Sequence, residues 1–395
     1  MKQINILCIP PDLSGTGYFR FIEPHLEICK QFKDEFHIDI NLSPEWTNKT
    51  YLSKFQIIFG STRMLDIEEA KIILPVLQKQ GIIIIIDTDD HYDISENPKY
   101  DLIQQTEFWN TEIGYFSIVD YIVTTTDFFA NQIQKHNKNV VVFPNAIDPT
   151  AEKFKINKEK SDKIRLGYIG GPTHLEDVKL LKGLFNEIAT KYVSKTQIIL
   201  CGFHIGNITY ERDQNGNYIK KLISIEETSS YQFEKIMTAN YRNLSPAYRQ
   251  WLLKFKDEEY PDASKLPYRR IWWQSIDTYS QCYNLFDISL IPLIDNNFNS
   301  AKSQLKIIEA GFFKKAIIAS AVSPYQIDII NGKNGFLVKE GEKEDWLFYA
   351  EKLFNHPNLM EEIGGQLHET VKYKYDLRNV SRHRAEFYRT ITTKG

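Results

Sequence analysis

Residues 296–338, NNFNSAKSQLKIIEAGFFKKAIIASAVSPYQIDIINGKNGFLV, decide how the whole chain is read. An acid-bearing helix over 303–312 leads through Ala-Gly to an apolar strand at 316–319, then Ser-x-x-x-Pro-Tyr, then Asn-Gly-x-Asn-Gly and a second strand at 335–338. Helical spacing puts Lys302, Lys306 and Glu309 on one side at i, i+4 and i+7. Such a face on an arbitrary helix is a solvated surface. The ordered string around this one makes it a ligand-binding candidate.

Working upstream, short runs of Ile, Val and Phe alternate with amphipathic stretches, the pattern of βαβ units feeding a parallel sheet. In the first half, strands are predicted at 4–9, 38–40, 56–59, 82–87, 121–124 and 140–143, with a helix over 19–32. The run GIIIIID (81–87) has no polar alternation, so both of its faces must be covered. Lysine-rich TAEKFKINKEKSDK (150–163) breaks the apolar periodicity and reads as an interdomain linker. Then IRLGYIGG (164–171) restarts the strand and glycine-turn pattern, followed by a helix over 175–192, a strand at 197–201, a helix near 278–285 and a strand at 288–291. The expected organisation is a first α/β domain over 1–150, a linker over 151–163 and a second α/β domain over 164–371. Within the second, 206–270 reads as an insertion. The end of the chain, 372–395, is helical.

Length and composition agree. At 395 residues the chain suits two domains, and 42% hydrophobic with 25% charged residues excludes collagen-like and wholly disordered classes. Lys plus Arg number 48 against 51 Asp plus Glu, a net charge of −3, so no global positive field draws the chain onto nucleic acid. Cys8, Cys29, Cys201 and Cys282 are widely spaced, which is neither a zinc-ligand nor a disulfide pattern and points to a reducing, cytoplasmic setting. The start MKQINILCIPPD lacks a signal-peptide core, and the longest aliphatic run, 82–86, is far below the ~20 residues of a membrane span.

Five short stretches carry candidate chemistry. In DLSGTGYFR (12–20), Gly15 and Gly17 either simply open a helix or bring backbone N–H groups to an anion. In GYIGGPTHLED (167–177), Gly170, Gly171, Thr173 and His174 precede a helix whose N-terminus suits a diphosphate, while Glu176 and Asp177 read as dipole-stabilising first-turn acids. DTDDHYD (87–93) follows a predicted strand end, where ligands collect in open α/β sheets; it offers Asp87, Asp89, Asp90, His91 and Asp93, with helix or turn capping as the plainer reading and a metal site formed by the carboxylates as a further alternative. Arg63 in GSTRM (60–64) follows another strand end and either reaches a phosphate or the acceptor or is a surface arginine. In 206–270 and just beyond it, YRQWLLKF and YRRIWWQS interleave aromatic and basic groups, with Arg270 and Trp273 as sugar- or base-stacking candidates and core packing as the alternative. The 11 Lys/Arg and 9 Asp/Glu of 206–270 nearly cancel, so the segment lends nucleic-acid binding little support.

On these segments the chain resembles the GT-B glycosyltransferases, in particular the glycogen-synthase-like and lipopolysaccharide-type group. VVFPNAID (141–148) is similar to that family's "pNGiD" segment, TTTDFFANQI (124–133) to its "vsT..la..l" segment, IRLGYIGG to the first strand and turn of its second domain, and KIIEAGFFKKAIIASAVSPY with NGKNGFLV to its donor-binding helix and following strand. The resemblance implies an α/β fold of two Rossmann-like domains facing a cleft, the final helix crossing back to the N-terminal domain. It implies a nucleotide-diphosphate sugar, UDP-linked by default, as co-substrate, with no cofactor and no metal. Glu309 would accept from the donor ribose, a role suited to two carboxylate oxygens. Lys302 and Lys306, with Ser303 beside them, would offset the diphosphate charge that grows on the leaving group. Gly15, Gly17, Gly170, Gly171, Thr173 and His174 complete the donor set. Arg63, Asp89, Asp93, Arg270 and Trp273 would meet the acceptor.

The sequence departs from the family at two points. The usual Glu-x7-Glu lacks its first glutamate, position 301 being Ala, and no Lys-Gly pair follows the second glycine turn, His174 being the nearest substitute. Retention of configuration is the expected outcome; if the reaction inverts, Asp90 or His91 would be the general base. The rival readings are a transferase acting on modified DNA bases, a nucleotide-sugar epimerase and a degenerate sugar-nucleotide-binding module. Acceptors include glycans and lipid-linked molecules, the latter implying peripheral membrane association.

Overall fold

The computed structural model describes residues 3–91, 102–212 and 218–393. The chain folds into two compact units: Met1–Ala151 with Asn296–Glu309 and Thr370–Gly395, and Glu152–Asp295 with Ala310–Glu369.

The first unit is built on β1 (Ile4–Cys8), β2 (Phe36–Ile40), β3 (Ile57–Gly60), β4 (Ile83–Asp87), β5 (Tyr121–Thr124) and β6 (Val140–Val142). All are parallel, in the order β2-β1-β3-β4-β5-β6. The isoleucine run of β4 shows why no polar residue interrupts it. Ile84 and Ile86 enter one core with Leu74, Tyr115 and Phe129, while Ile85 enters the other with Phe21, Ile28 and Tyr388. On the second face lie helices Glu23–Gln31 and Leu377–Thr393, pinned where His25 Nδ1 donates to Phe21 O (2.6 Å) and Nε2 accepts from Tyr388 Oη (2.8 Å). Burial pushes this imidazole down to about 3, so it stays neutral. The helix expected over 19–32 begins instead as a π-turn, Gly17–Ile22, before continuing from Glu23.

The second unit contains β7 (Ile164–Ile169), β8 (Thr196–Phe203), β9 (Ile208–Arg212), β10 (Tyr218–Leu222), β11 (Tyr268–Trp272), β12 (Ile288–Ile291), β13 (Ala316–Ser320) and β14 (Phe336–Val338). Its six-stranded parallel sheet runs β11-β8-β7-β12-β13-β14, with β9 and β10 a separate antiparallel hairpin.

Two expectations are corrected here. Residues 206–270 are largely not an insertion: β11 is an edge strand of the sheet, and helices Ser229–Met237 and Pro246–Leu252 send Phe233, Met237, Tyr248 and Leu252 into the core. Among the described strands of this stretch, β9 and β10 form a hairpin apart from the six-stranded sheet. The helix expected over 175–192 is broken into Leu175–Lys179, Lys182–Glu187 and the π-turn Ile188–Tyr192. The lysine-rich linker is held along the second unit by Lys158 on Asp287 (2.9 Å) and Glu159 on Arg269 (3.0 Å). No helix among the described residues is long and apolar enough to cross a membrane.

Candidate functional site

In open parallel sheets, ligands collect at the carboxyl ends of the strands where the strand order reverses. Each unit has one such point.

In the second unit it falls between β7 and β12. Gly170 and Gly171 follow β7, and the Gly170 amide donates to Cys201 O at 3.3 Å. Gly202 has φ +96°, and a Cβ there would lie 2.7 Å from Gly170 O, so this glycine allows the two backbones to meet. Pro172–His174 form a 3-10 turn with Thr173 exposed. His174 Nδ1 lies 2.7 Å from Asp177 Oδ2. Because a carboxylate only accepts, Nδ1 carries the proton, and Nε2 is an acceptor in the neutral ring and a donor in the cation. The other Asp177 oxygen accepts from the Ile294 amide at 2.8 Å, tying the turn after β7 to the loop after β12. Asp177 is thus a buried bridge as well as the first-turn acid its position suggested. Its i+3 spacing from His174 was the available signal; its bond to Ile294 had none. Nearby, Leu293–Asp295, Ser320–Val322, Val338, Lys339 and Trp346 line a cavity of about 230 Å³, within which Ser320 Oγ accepts from the Leu293 amide at 2.9 Å.

In the first unit the reversal lies between β1 and β3. The glycine loop after β1 is turned inward: Asp12 Oδ1 accepts from the Ser14 amide (2.8 Å) and the Gly17 amide (3.3 Å). A Cβ on Gly17 would sit 1.9 Å from Asp12 O, whereas nothing lies within 4 Å of one on Gly15. The anion facing the Gly17 amide is therefore Asp12, and the Asp-x-Ser spacing is the sequence trace of that turn. Thr16 Oγ1 donates to Asp89 Oδ2 at 2.9 Å. Burial lifts Asp89 to about 6, helped by Asp90 and Asp87 and opposed by Arg20 and the Thr16 hydroxyl. Asp90, half-buried, lies 3.4 Å from Lys302 Nζ, which also sits 4.5 Å over the Phe298 ring. His91 is buried, its ring 5.1 Å from each of Trp109 and Phe129. Arg63 is exposed in the loop after β3. Asp93 lies outside the described residues.

The 296–309 segment differs from its expected form. A short helix, Asn297–Ser300, ends in a turn, and the next, Leu305–Phe312, starts after Lys302. Lys302 and Lys306 therefore do not share a helical face. Ser303 Oγ accepts from Asn145 Nδ2 at 2.9 Å, and Gln304 Nε2 donates to Tyr375 Oη at 2.7 Å, which fastens the segment within the first unit. Glu309 is 2% exposed.

Arg270 is not available to an acceptor. Its guanidinium is buried, bidentate to Glu234 (2.8 and 2.6 Å), and lies 4.1 Å over the Phe203 ring. Trp273, next to the end of the same strand, is exposed. Among the described residues no three His, Cys, Asp or Glu side chains converge as a metal site.

No family model matches the chain, and no curated protein does. Solved structures do. Sucrose-phosphate synthase from Thermosynechococcus elongatus is similar over 100% of both chains at 12% identity and a TM-score of 0.64. Anabaena HepE, solved in complex with UDP-glucose, is similar over 98% of this chain and 99% of its own at 10% identity and a TM-score of 0.63. A glycosyltransferase from Rickettsia africae matches over 100% of both chains at 15% identity and a TM-score of 0.56. Two six-stranded parallel sheets, in orders that each reverse beside their first strand, and full-length likeness to these structures show that the chain has the GT-B fold.

Proposed function

We propose that the chain is a glycosyltransferase that moves a sugar from a UDP-linked donor to an acceptor hydroxyl, without a metal or other cofactor and with retention of configuration. The β7/β12 reversal carries the reading: a Gly-Gly turn, an oriented His174 and a loop clamped by Asp177 stand at the strand ends where a diphosphate is held in folds of this type. HepE, similar along almost its whole length, was solved with UDP-glucose.

In the second unit, backbone donors at Gly170 and Gly171, the Thr173 hydroxyl and protonated His174 meet the diphosphate. In the first unit, Lys302 and Lys306 supply positive charge for the leaving group, Ser303 positions that segment through Asn145, and Glu309 receives the ribose. Gly15 and Gly17 shape the loop that sets Thr16 on Asp89. Arg63, Asp89 and Trp273 serve the acceptor. Asp90, partly exposed and paired with Lys302, is better placed to exchange a proton than His91 packed between two aromatic rings.

Calorimetric titration with UDP-, GDP-, ADP- and CMP-sugars, with and without EDTA, tests the reading in wild type, His174→Gln and Glu309→Ala. Saturable binding of a UDP-sugar, weakened in both variants and indifferent to EDTA, is expected. Absence of binding by every nucleotide sugar would overturn it, and conversion of the donor sugar to its epimer without transfer would replace it. Proton NMR of the first-formed anomer decides retention.

A further inference from the structure

A chain of hydrogen bonds inside the first unit fixes the direction in which one hydroxyl points. It starts at Asp87, which holds Arg20 through both carboxylate oxygens. Arg20 Nη1 then donates to Asn145 Oδ1 at 3.3 Å, and Asn145 Nδ2 donates to Ser303 Oγ at 2.9 Å. Arg20 and Asn145 are buried, whereas Ser303 is half-buried. A guanidinium has N–H groups alone to offer, so the Asn145 atom that faces it is the carbonyl oxygen. The amide nitrogen is thereby turned to Ser303, whose oxygen accepts from it. The Ser303 hydroxyl hydrogen is given to none of the described residues.

From this order we infer that Asn145 is a positioning residue, which commits the Ser303 hydroxyl as a hydrogen-bond donor to a phosphate oxygen of the donor substrate. The inference rests on the proposed transferase reading and adds a polarity to it. A serine left to itself presents its lone pairs as readily as its proton, and lone pairs repel a phosphate. Here one lone pair is occupied by the amide N–H, so the proton lies on the far side of the oxygen. A hydroxyl that donates to a charged oxygen makes a bond of the stronger, charge-assisted kind. Only an amide suits the middle of the chain, because it accepts from Arg20 with one end and donates to Ser303 with the other. Nothing around Asn145 in VVFPNAID signals a partner 158 positions away.

Asn145→Asp separates polarity from shape. It keeps the outline of the side chain and the contact with Arg20, but a carboxylate accepts, so the Ser303 hydroxyl turns back to donate to it. Calorimetric titration of wild type, Asn145→Asp, Ser303→Ala and the double variant with UDP, and with uridine as the phosphate-free control, tests the inference. UDP affinity is expected to fall about tenfold or more in each single variant. The double variant should bind no more weakly than Asn145→Asp, since each change removes the same donor. Uridine affinity should be equal in all four proteins, whereas a structural defect would lower it too. The segment stays anchored in every variant, because buried Gln304 donates to Tyr375 Oη at 2.7 Å. Wild-type UDP affinity in Asn145→Asp, losses that multiply in the double variant, or a parallel loss of uridine each overturn the inference and leave the donor reading standing. Absence of UDP binding by wild type overturns both.

Discussion

Asp87 grips Arg20 with both carboxylate oxygens, accepting from Nε at 2.9 Å and Nη2 at 2.8 Å, and both side chains are sealed from solvent. Arg20 also donates to Thr124 O and Asn145 Oδ1, and Arg384 of the last helix donates to Arg20 O at 3.1 Å. One carboxylate at the end of β4 therefore organises the π-turn, β5 and the C-terminal helix. Removing it leaves two guanidinium groups buried without their counter-charge. Asp87→Ala should cost about 3–5 kcal/mol. Arg20→Met should cost less, because Arg384 still faces Asp87. Urea unfolding of the two variants measures the order, and an Asp87→Ala protein as stable as wild type would refute this account.

The same pair shows where sequence reading stops. Asp87 looked like one member of an acidic cluster, since nothing local to it announces a partner 67 positions away. The strands covered on both faces were legible because apolar runs need no partner to be recognised: β1, β3, β4 and β5 lie within a residue of their predicted bounds at each end. β11 was missed for the converse reason. Its Arg269 and Arg270 break the apolar run of YRRIW, yet one is held by Glu159 and Glu259 and the other by Glu234. Paired charge inside a sheet reads in sequence as solvent-exposed loop. For the candidate site, the glycine turn and His174 were legible as types at a helix start, while the Asp177 bridge to Ile294 spans 117 positions of the chain and leaves no local trace.

The two glycines of the first loop should separate cleanly. A methyl on Gly17 meets the Asp12 carbonyl at 1.9 Å, and a methyl on Gly15 meets nothing within 4 Å. Gly17→Ala is expected to destabilise by roughly 1–3 kcal/mol as the turn is forced open, and Gly15→Ala to stay within about 0.5 kcal/mol of wild type. Thermal melts of both decide it; equal midpoints would mean that the loop relaxes freely.

Asp89 gives the first unit a pH signature. Its carboxyl is raised from the usual 3.8 to about 6, chiefly by burial. Across that window the native group keeps a proton that the unfolded chain has lost, so the native state binds more protons and stability falls as pH rises. Asp89→Asn should remove this component and flatten the thermal midpoint over the same range. If Asp89 serves the acceptor as an anion, the pH–rate profile of wild type should rise through about 6 and that limb should vanish in the variant. An unchanged profile would place the titrating group elsewhere.

Arg270 and Trp273 lie three residues apart and should answer opposite questions. The Arg270 guanidinium is pinned by Glu234, donates to Leu252 O at 3.0 Å and stacks on Phe203, so Arg270→Ala strands a buried carboxylate beside Tyr241 and Tyr268. A loss of about 3–5 kcal/mol is expected, and Arg270→Lys should rescue little because an ammonium cannot make the bidentate contact. Trp273 is 61% exposed, and its backbone amide donates to Phe203 O at 2.8 Å. Trp273→Ala should leave stability within about 0.5 kcal/mol while raising the KM for acceptor. Denaturant melts of the three variants, with acceptor kinetics of Trp273→Ala at saturating donor, test both halves. A stable Arg270→Ala protein with altered acceptor kinetics would return Arg270 to the binding surface.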